Sequence, residues 1–561
     1  MTHAHIWERF APWDLREAMS SDMVTIYEGL MKDTGEKRLV RVADDIEIHA
    51  EVFRLSMAEQ LISPRFREKV FKLIETREGR ELAEHLEIEF TDLSSFKQKL
   101  LEIPWDNNYA AEIICDFLGV PEYILGSPQE MQQELPQLAI PWPDKSDFIE
   151  EMGTQIITSK PHFKNLKYYQ STIYSEVKQT LNEPFVRALI SMPTGTGKTR
   201  TAMQLVCEYL NENPNRSVIW VADKRELIDQ ACAAFIETWE FVGNRPLPIG
   251  RWYSGSEDYD LQDSMFLATT FGTLLHRSDQ VRQLPVGLIL VDEAHRAPAE
   301  NWSRELNRMI NPKFQTRMIG LTATPIRGGD DTGNLLEFFS NNLHQIKNPT
   351  GGSLIHWLES EGFLAYPYYE QVELEVEIDL PPEVRRALDN GNDYSSDFLE
   401  DLAKEVVYNR RIATKLIELL RDHDSILFFS PSVQHSKMIV TWLRSRGIAA
   451  AHIDGETRSD IRHATIESFR EKKIQVLSNY SVLDTGFDAP QVDCVFMARP
   501  TTSPVVYHQI LGRGLRGPAL GGTKECTVVD VPFNLETYAS KREQSFTEYQ
   551  RMWDRASDVL E

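Results

Sequence analysis

A chain of 561 residues is too long for one hydrophobic core, so about three domains are expected. Hydrophobic content of 42% with 10% aromatics suits a globular protein, and no apolar run reaches the length of a membrane span. The net charge of −25 argues against a broad nucleic-acid-coating surface, so any such contact must be a local cleft.

The charge is uneven: residues 1–150 hold 30 Asp and Glu against 16 Lys and Arg, a net of −14, which leaves −11 for the rest. Cys115, Cys207, Cys232, Cys494 and Cys526 form no C-x-x-C pair, which argues against a zinc module or disulfide framework and fits a reducing interior. The first residues lack a basic region followed by an apolar run, so a cytoplasmic location is expected.

Residues 1–155 read as an acidic, mainly helical accessory domain. Residues 52–62, 66–74 and 81–86 carry apolar side chains at helical spacing. Tyr109–Leu118 runs into Gly119, a helix with a glycine stop. Residues 39–42 and 46–50 alternate and suit a small hairpin. The acidic face suits a solvated surface, a protein-docking surface or a mimic of nucleic acid. His3 and His5 lie in a solvated terminus rather than a metal site. Pro136, Pro141 and Pro143 mark a linker out of the domain.

The apolar run Ala188, Leu189, Ile190 leads into Met192-Pro-Thr-Gly-Thr-Gly-Lys-Thr199 and then a helix-forming stretch over 201–210. Strand, glycine-rich turn and helix are the context of a Walker A phosphate loop. Thr194, Gly195, Thr196 and Gly197 curl backbone N–H groups around phosphate oxygens, and the helix N-terminus adds partial positive charge. Lys198 reaches the β- and γ-phosphates of ATP, and the Thr199 hydroxyl ligates Mg²⁺. The full pattern asks for Gly at position 192, where this chain has Met192. Just upstream, Tyr169 offers a ring to stack on adenine and Gln170 an amide that both donates and accepts.

Strands then alternate with helices at the spacing of a parallel α/β layer, over 217–222, 265–270, 287–291 and 317–322. The strand over 287–291 pushes Asp292-Glu-Ala-His295 out at its C-terminal end, where ligands bind in such sheets. Asp292 there holds Mg²⁺ through water, Glu293 polarises the water that attacks the γ-phosphate, and His295 couples the site to a neighbour. Thr322 and Thr324 form a hydroxyl pair that can bond back to the acidic box. Residues 354–367 close this lobe, residues 370–379 alternate like an exposed-face strand, and residues 389–401 form a polar connector.

A second set of strands runs over 425–430, 449–455, 474–478 and 492–497, with a helix over 433–446. The loop over 482–490 presents Thr485, Gly486 and Asp488 at its working edge. Then Tyr507-His-Gln-Ile-Leu-Gly-Arg-Gly-Leu-Arg516 sets Gln509, Arg513 and Arg516 at helical spacing. Two guanidinium groups offered to a γ-phosphate bound on the other lobe make an arginine-finger arrangement.

In order and spacing, Met192–Thr199, Asp292–His295 and Leu321-Thr-Ala-Thr-Pro325 resemble motifs I, II and III of the superfamily 2 helicases. Residues 428–432, 483–490 and 509–516 resemble its motifs IV, V and VI, and Tyr169 with Gln170 its Q motif. A non-Gly residue at the position of Met192 is common in that family. Residues 223–227 and 268–270 look like motifs Ia and Ib, which touch the nucleic-acid backbone. The Thr-Gly-Phe-Asp-Ala-Pro and Gly-Arg-Gly-Leu-Arg strings look most like the DNA-acting branch with RadD, XPB and the motor subunits of restriction enzymes. The chain departs from RadD in its acidic N-terminal domain and in lacking a cysteine cluster after the second lobe.

The resemblance implies an α/β fold of two RecA-like parallel-sheet lobes in tandem, preceded by a mainly helical domain. ATP and Mg²⁺ would sit between the lobes. Lys198, Glu293, Gln509, Arg513 and Arg516 would be catalytic, with Gly486 and Asp488 on the nucleotide side. Nucleic acid, DNA rather than RNA, would cross both lobes against Arg225, Thr270, Ser430 and Thr485. Arg444, Arg446, Arg458, Arg462, Lys472 and Lys473 are further candidates for the track. The expected division is an accessory domain over 1–155, lobe 1 over 156–370, a connector over 371–420, lobe 2 over 421–535 and a helical tail over 536–561. Two activities fit: a DNA-dependent ATPase that translocates on or unwinds DNA, and a motor or sensor subunit docked through the accessory domain to a nuclease or other effector.

Overall fold

The computed structural model describes residues 6, 9, 21–31, 64–102, 109–118, 155–157, 165–253, 261–323, 330–372, 380–390, 392–455, 457, 459–483, 489–531, 549 and 553. The hairpin expected over 39–50, the helix over 52–62, the proline linker, His3, His5, Thr324 and the loop residues Thr485, Gly486 and Asp488 lie outside them.

The first lobe holds β1 (Gln155–Ile157), β2 (Arg187–Ser191), β3 (Ser217–Ala222), β4 (Leu247–Trp252), β5 (Phe266–Thr270), β6 (Val286–Val291), β7 (Arg317–Thr322) and β8 (Leu343–Gln345). Their order across the sheet is β1-β4-β5-β3-β6-β7-β2-β8. All neighbours are parallel except β1 with β4. Every residue of β3 and β6 is buried, as strands covered by helices on both faces must be. β4 escapes sequence reading because Pro248, Gly250 and Arg251 break its apolar pattern. Register levels the strand ends: Ser191 lies opposite Thr322, and Val291 opposite Gly320. The turns after β2, β6 and β7 therefore open on one rim.

The second lobe holds β9 (Tyr366–Gln371), β10 (Ile426–Phe429), β11 (Ala450–Ile453), β12 (Val476–Asn479), β13 (Cys494–Met497) and β14 (Glu525–Asp530), in the order β11-β12-β10-β13-β14-β9. All are parallel. This is the fold class expected.

The lobes do not divide where composition suggests. β9 leaves the first lobe and pairs with β14 along its whole length, so Tyr366–Gln371 already belongs to the second sheet. The helix Val406–Leu419, assigned to the connector, buries Tyr408, Ile412 and Leu416 in the second core. The helix Ser21–Met31 packs on Val406–Leu419 and Val433–Arg444 and adds Ile26, Tyr27 and Leu30 to that core. Asp22 pairs with Lys404 at 3.0 Å. Part of the accessory region is thus fused to the second lobe. The helices Pro64–Lys72, Thr76–His85, Leu93–Glu102 and Tyr109–Leu118 pack on one another, tied by Arg9, which grips buried Glu78 with two bonds of 2.7 Å.

Candidate active site

The site begins with the turn after β2. Met192 is buried in the lobe core, so the side chain at the expected glycine position is packing, not obstruction. Gly195 and Gly197 both have φ of 82°, and Gly197 caps the helix Lys198–Glu212. A Cβ on Gly197 would also lie 2.3 Å from the Gln170 amide nitrogen. Left-handed backbone and close approach together require glycine there.

Gln170 Nε2 donates to the Thr196 carbonyl at 3.0 Å, while its Oε1 accepts from the Lys167 backbone at 2.8 Å. The Tyr169 hydroxyl donates to the same Thr196 carbonyl at 2.7 Å. Tyr169 does not offer its ring to the cleft: it is 3% exposed and packs edge-on against Phe363 at 4.7 Å. The expected stacking on adenine is therefore corrected to a brace beneath the phosphate loop. Only Gln170 of the pair lines the cleft.

Lys198 Nζ stands 3.4 Å from Asp292 Oδ1 and 3.8 Å from Glu293 Oε1. Burial disfavours the ammonium, but the two carboxylates outweigh it and raise the Lys198 pKa. Burial, with Glu293 alongside, raises Asp292 despite Lys198. Burial also pushes Glu293 up, yet Lys198, His295, a hydrogen bond from Gln509 and the charge of Arg513 hold it below the usual carboxylate range. Glu293 has φ of 49°, a left-handed conformation uncommon outside glycine and one that concentrates at working sites. His295 Nδ1 is 3.4 Å from Glu293 Oε2.

The other wall comes from the second lobe. Gln509, Arg513 and Arg516 share a cleft of about 1220 Å³ with Thr194, Gly195, Gly197, Lys198, Thr199, Asp292 and Glu293. The lobes touch directly: Thr194 Oγ1 donates to the His508 carbonyl at 3.0 Å. A Cβ on Gly512 would fall 2.1 Å from Thr194 Cβ, so this contact needs glycine. Sequence alone does not mark Gly512, because its role depends on a partner more than three hundred residues away. The donor set suits a phosphate with a divalent ion. Thr199 and Asp292 are oxygen donors on one wall, beside a buried ammonium.

The residues expected to meet nucleic acid are not equally placed. Arg225 lies on the cleft wall, its guanidinium 4.4 Å over the Tyr253 ring. Thr270 caps the helix Phe271–Val281, accepting from the Thr273 backbone at 3.4 Å. Ser430 is contradicted as a grip: it is 1% exposed and joins Ser478 and His435, each at 3.3 Å. A strand-terminal hydroxyl reads the same in sequence whether it points to solvent or into a polar core. Of the basic candidates, Arg444 is buried and donates to the Ala450 carbonyl, and Arg446 stacks on Trp442 at 4.5 Å. Lys472 pairs with Asp424 and Lys473 with Glu471, while Arg462 lines the cleft and donates to the Asp454 carbonyl. Arg458 lies outside the described residues.

Residues 163–327 match the family described as type III restriction enzyme, res subunit, and residues 411–517 match the helicase conserved C-terminal domain. The chain is 27% identical over 376 residues to the "Putative mitochondrial ATP-dependent helicase irc3" of Schizosaccharomyces pombe, covering 65% of this chain and 57% of that protein. It is 24% identical over 467 residues to the type I restriction enzyme EcoKI endonuclease subunit of Escherichia coli, covering 74% of this chain and 39% of the relative. The chain thus spans about half the length of these curated relatives. A solved structure of the ATP-dependent type ISP restriction-modification enzyme LlaBIII bound to DNA is similar over 72% of this chain and 30% of that one, at 15% identity and a TM-score of 0.48. The two matched domains fall on the two lobes in the order of the motifs, and together with these relatives they support a superfamily 2 helicase of the restriction-motor branch.

Proposed function

We propose that the protein is a DNA-dependent ATPase that converts ATP hydrolysis between its lobes into translocation on DNA or its unwinding. The observation that carries this reading is the split site. Lys198 lies between Asp292 and Glu293 on one lobe, and Gln509 and Arg513 face them from the other. In this reading Lys198 and the loop from Thr194 to Gly197 bind the phosphates, and Thr199 and Asp292 hold Mg²⁺. The metal supplies positive charge against the phosphate oxygens. Glu293, kept ionised by its neighbours, orients and deprotonates the attacking water. Arg513 and Arg516 stabilise charge on the transferring phosphoryl group, so hydrolysis demands that the lobes close.

DNA is favoured by the relatives that are named as restriction-enzyme subunits. ATP turnover measured with single-stranded DNA, duplex DNA and RNA tests the reading: stimulation by DNA is expected, and its absence with every DNA form would overturn it. A second reading, a motor subunit acting only within a larger assembly, is favoured by the helix Ser21–Met31, which fixes an accessory element to the second lobe. Strand displacement by the chain alone would remove that second reading.

A further inference from the structure

Two residues far beyond the last strand return to the seam between the lobes. Tyr549 is fully buried and Trp553 is 1% exposed. Both join the core that also holds Tyr507 and Leu511 of the second lobe and Trp357 of the first. The Tyr549 ring meets the His508 ring edge-on, with centroids 4.8 Å apart. Its hydroxyl interacts with the Thr194 side chain, and Glu359 of the helix Leu354–Ser360 lies near it. Thr194 and His508 are the pair whose direct hydrogen bond joins the phosphate loop to the helix Pro504–Leu511, which leads into the turn with Arg513. A fully buried tyrosine at this junction, its ring on His508 and its hydroxyl on Thr194, is a structural commitment.

We propose that Tyr549 is a positioning residue for ATP hydrolysis and acts as a latch across the lobe seam. The latch holds Thr194 against His508. That contact sets the register of the helix Pro504–Leu511, which carries Gln509, and of the turn with Arg513 that follows it. Without it the two half-sites still fold, but they meet less often in the geometry that hydrolyses ATP. The proposal rests on the ATPase reading above.

The test uses the full chain with Tyr549→Phe and Tyr549→Ala, each also combined with Thr194→Ala. Fluorophores on Asn182→Cys and Glu471→Cys, both exposed, report the distance between lobes. Tyr549→Ala should lower kcat about tenfold at saturating ATP, with KM changed less than about threefold, and should lower energy transfer between the dyes. Tyr549→Phe, which keeps the ring and loses the hydroxyl, should fold as wild type and lose about threefold in kcat. Adding Thr194→Ala to Tyr549→Phe should cost less than the product of the two single losses, since both remove one contact. A merely structural tyrosine would lower the melting temperature without that non-additivity or the change in transfer. Wild-type kcat and transfer in Tyr549→Ala, or strict multiplicativity in the double variant, would overturn the latch. A wild-type chain without ATP turnover would instead sink the ATPase reading, and the dye distance would still judge the latch.

Discussion

One buried lysine sets the electrostatics of the cleft. Lys198 keeps its charge because Asp292 and Glu293 stand on either side, and Glu293 keeps its charge because Lys198, His295 and Arg513 surround it. A phosphate entering between them would take over Lys198 and leave Glu293 free to handle water. Glu293→Gln preserves size but removes the carboxylate proposed as the base. It should lower kcat at least about 100-fold while nucleotide affinity stays within a few-fold, measured by turnover and by binding of a fluorescent ATP analogue. Hydrolysis at the wild-type rate would remove Glu293 from the base role. The identities of these residues were legible because charged side chains directly follow apolar strands. The role of Tyr169 was not. It is 3% exposed, packed against Trp357 and Phe363 almost two hundred residues later.

At the scale of elements, the sheets were readable and their boundaries were not. β3, β6, β10 and β13 announce themselves as unbroken apolar runs. β9 carries alternating exposed tyrosines and gives no sign of which sheet it joins. Nor does the amphipathic helix Ser21–Met31 name its partner. Tyr27, 1% exposed within the second core, makes that partnership testable. Tyr27→Ala should cost about 3–5 kcal/mol, by analogy with other large aromatic-to-alanine changes, and lower the unfolding midpoint of the second lobe. Loss of only the isolated N-terminal helix, with that midpoint unchanged, would show that the helix is not part of the core.

Asp530, at the end of β14, joins three elements: Tyr507 donates to its Oδ2 at 2.9 Å, and Tyr369 of β9 also hydrogen-bonds the carboxyl. Burial dominates those bonds and pushes its pKa up to about 7. An unfolded chain releases this proton near pH 4, whereas the folded one keeps it until about pH 7. The stabilisation is therefore complete below about pH 4, declines as pH rises through that window, and is gone above about pH 7, a change on the order of 4 kcal/mol. Asp530→Asn keeps a neutral side chain at every pH. Its melting temperature should gain on wild type from pH 5 to about pH 7 and then level off; parallel curves would show that Asp530 is already ionised in the fold.

At the scale of the molecule, the proposed function requires an acidic protein to bind an acidic polymer. The net charge of −25 forbids a wide electrostatic embrace, and the described basic residues of the second lobe leave little to spare. Arg444 and Arg446 are engaged within the fold, and Lys472 and Lys473 are ion-paired. Contact with DNA then rests on a few phosphates along the cleft rim, where Arg225 stands. Release of counterions measures that number directly. For a single strand the slope of log K against log salt is about −0.7 per phosphate neutralised, so three to five phosphates give a slope of roughly −2 to −4. Fluorescence anisotropy of a labelled oligonucleotide, titrated from 50 to 200 mM salt, reads it. A slope steeper than about −7 would require some ten phosphates. Such a protein would bind DNA over a broad basic face, and its motor would not be the local cleft that this charge distribution demands.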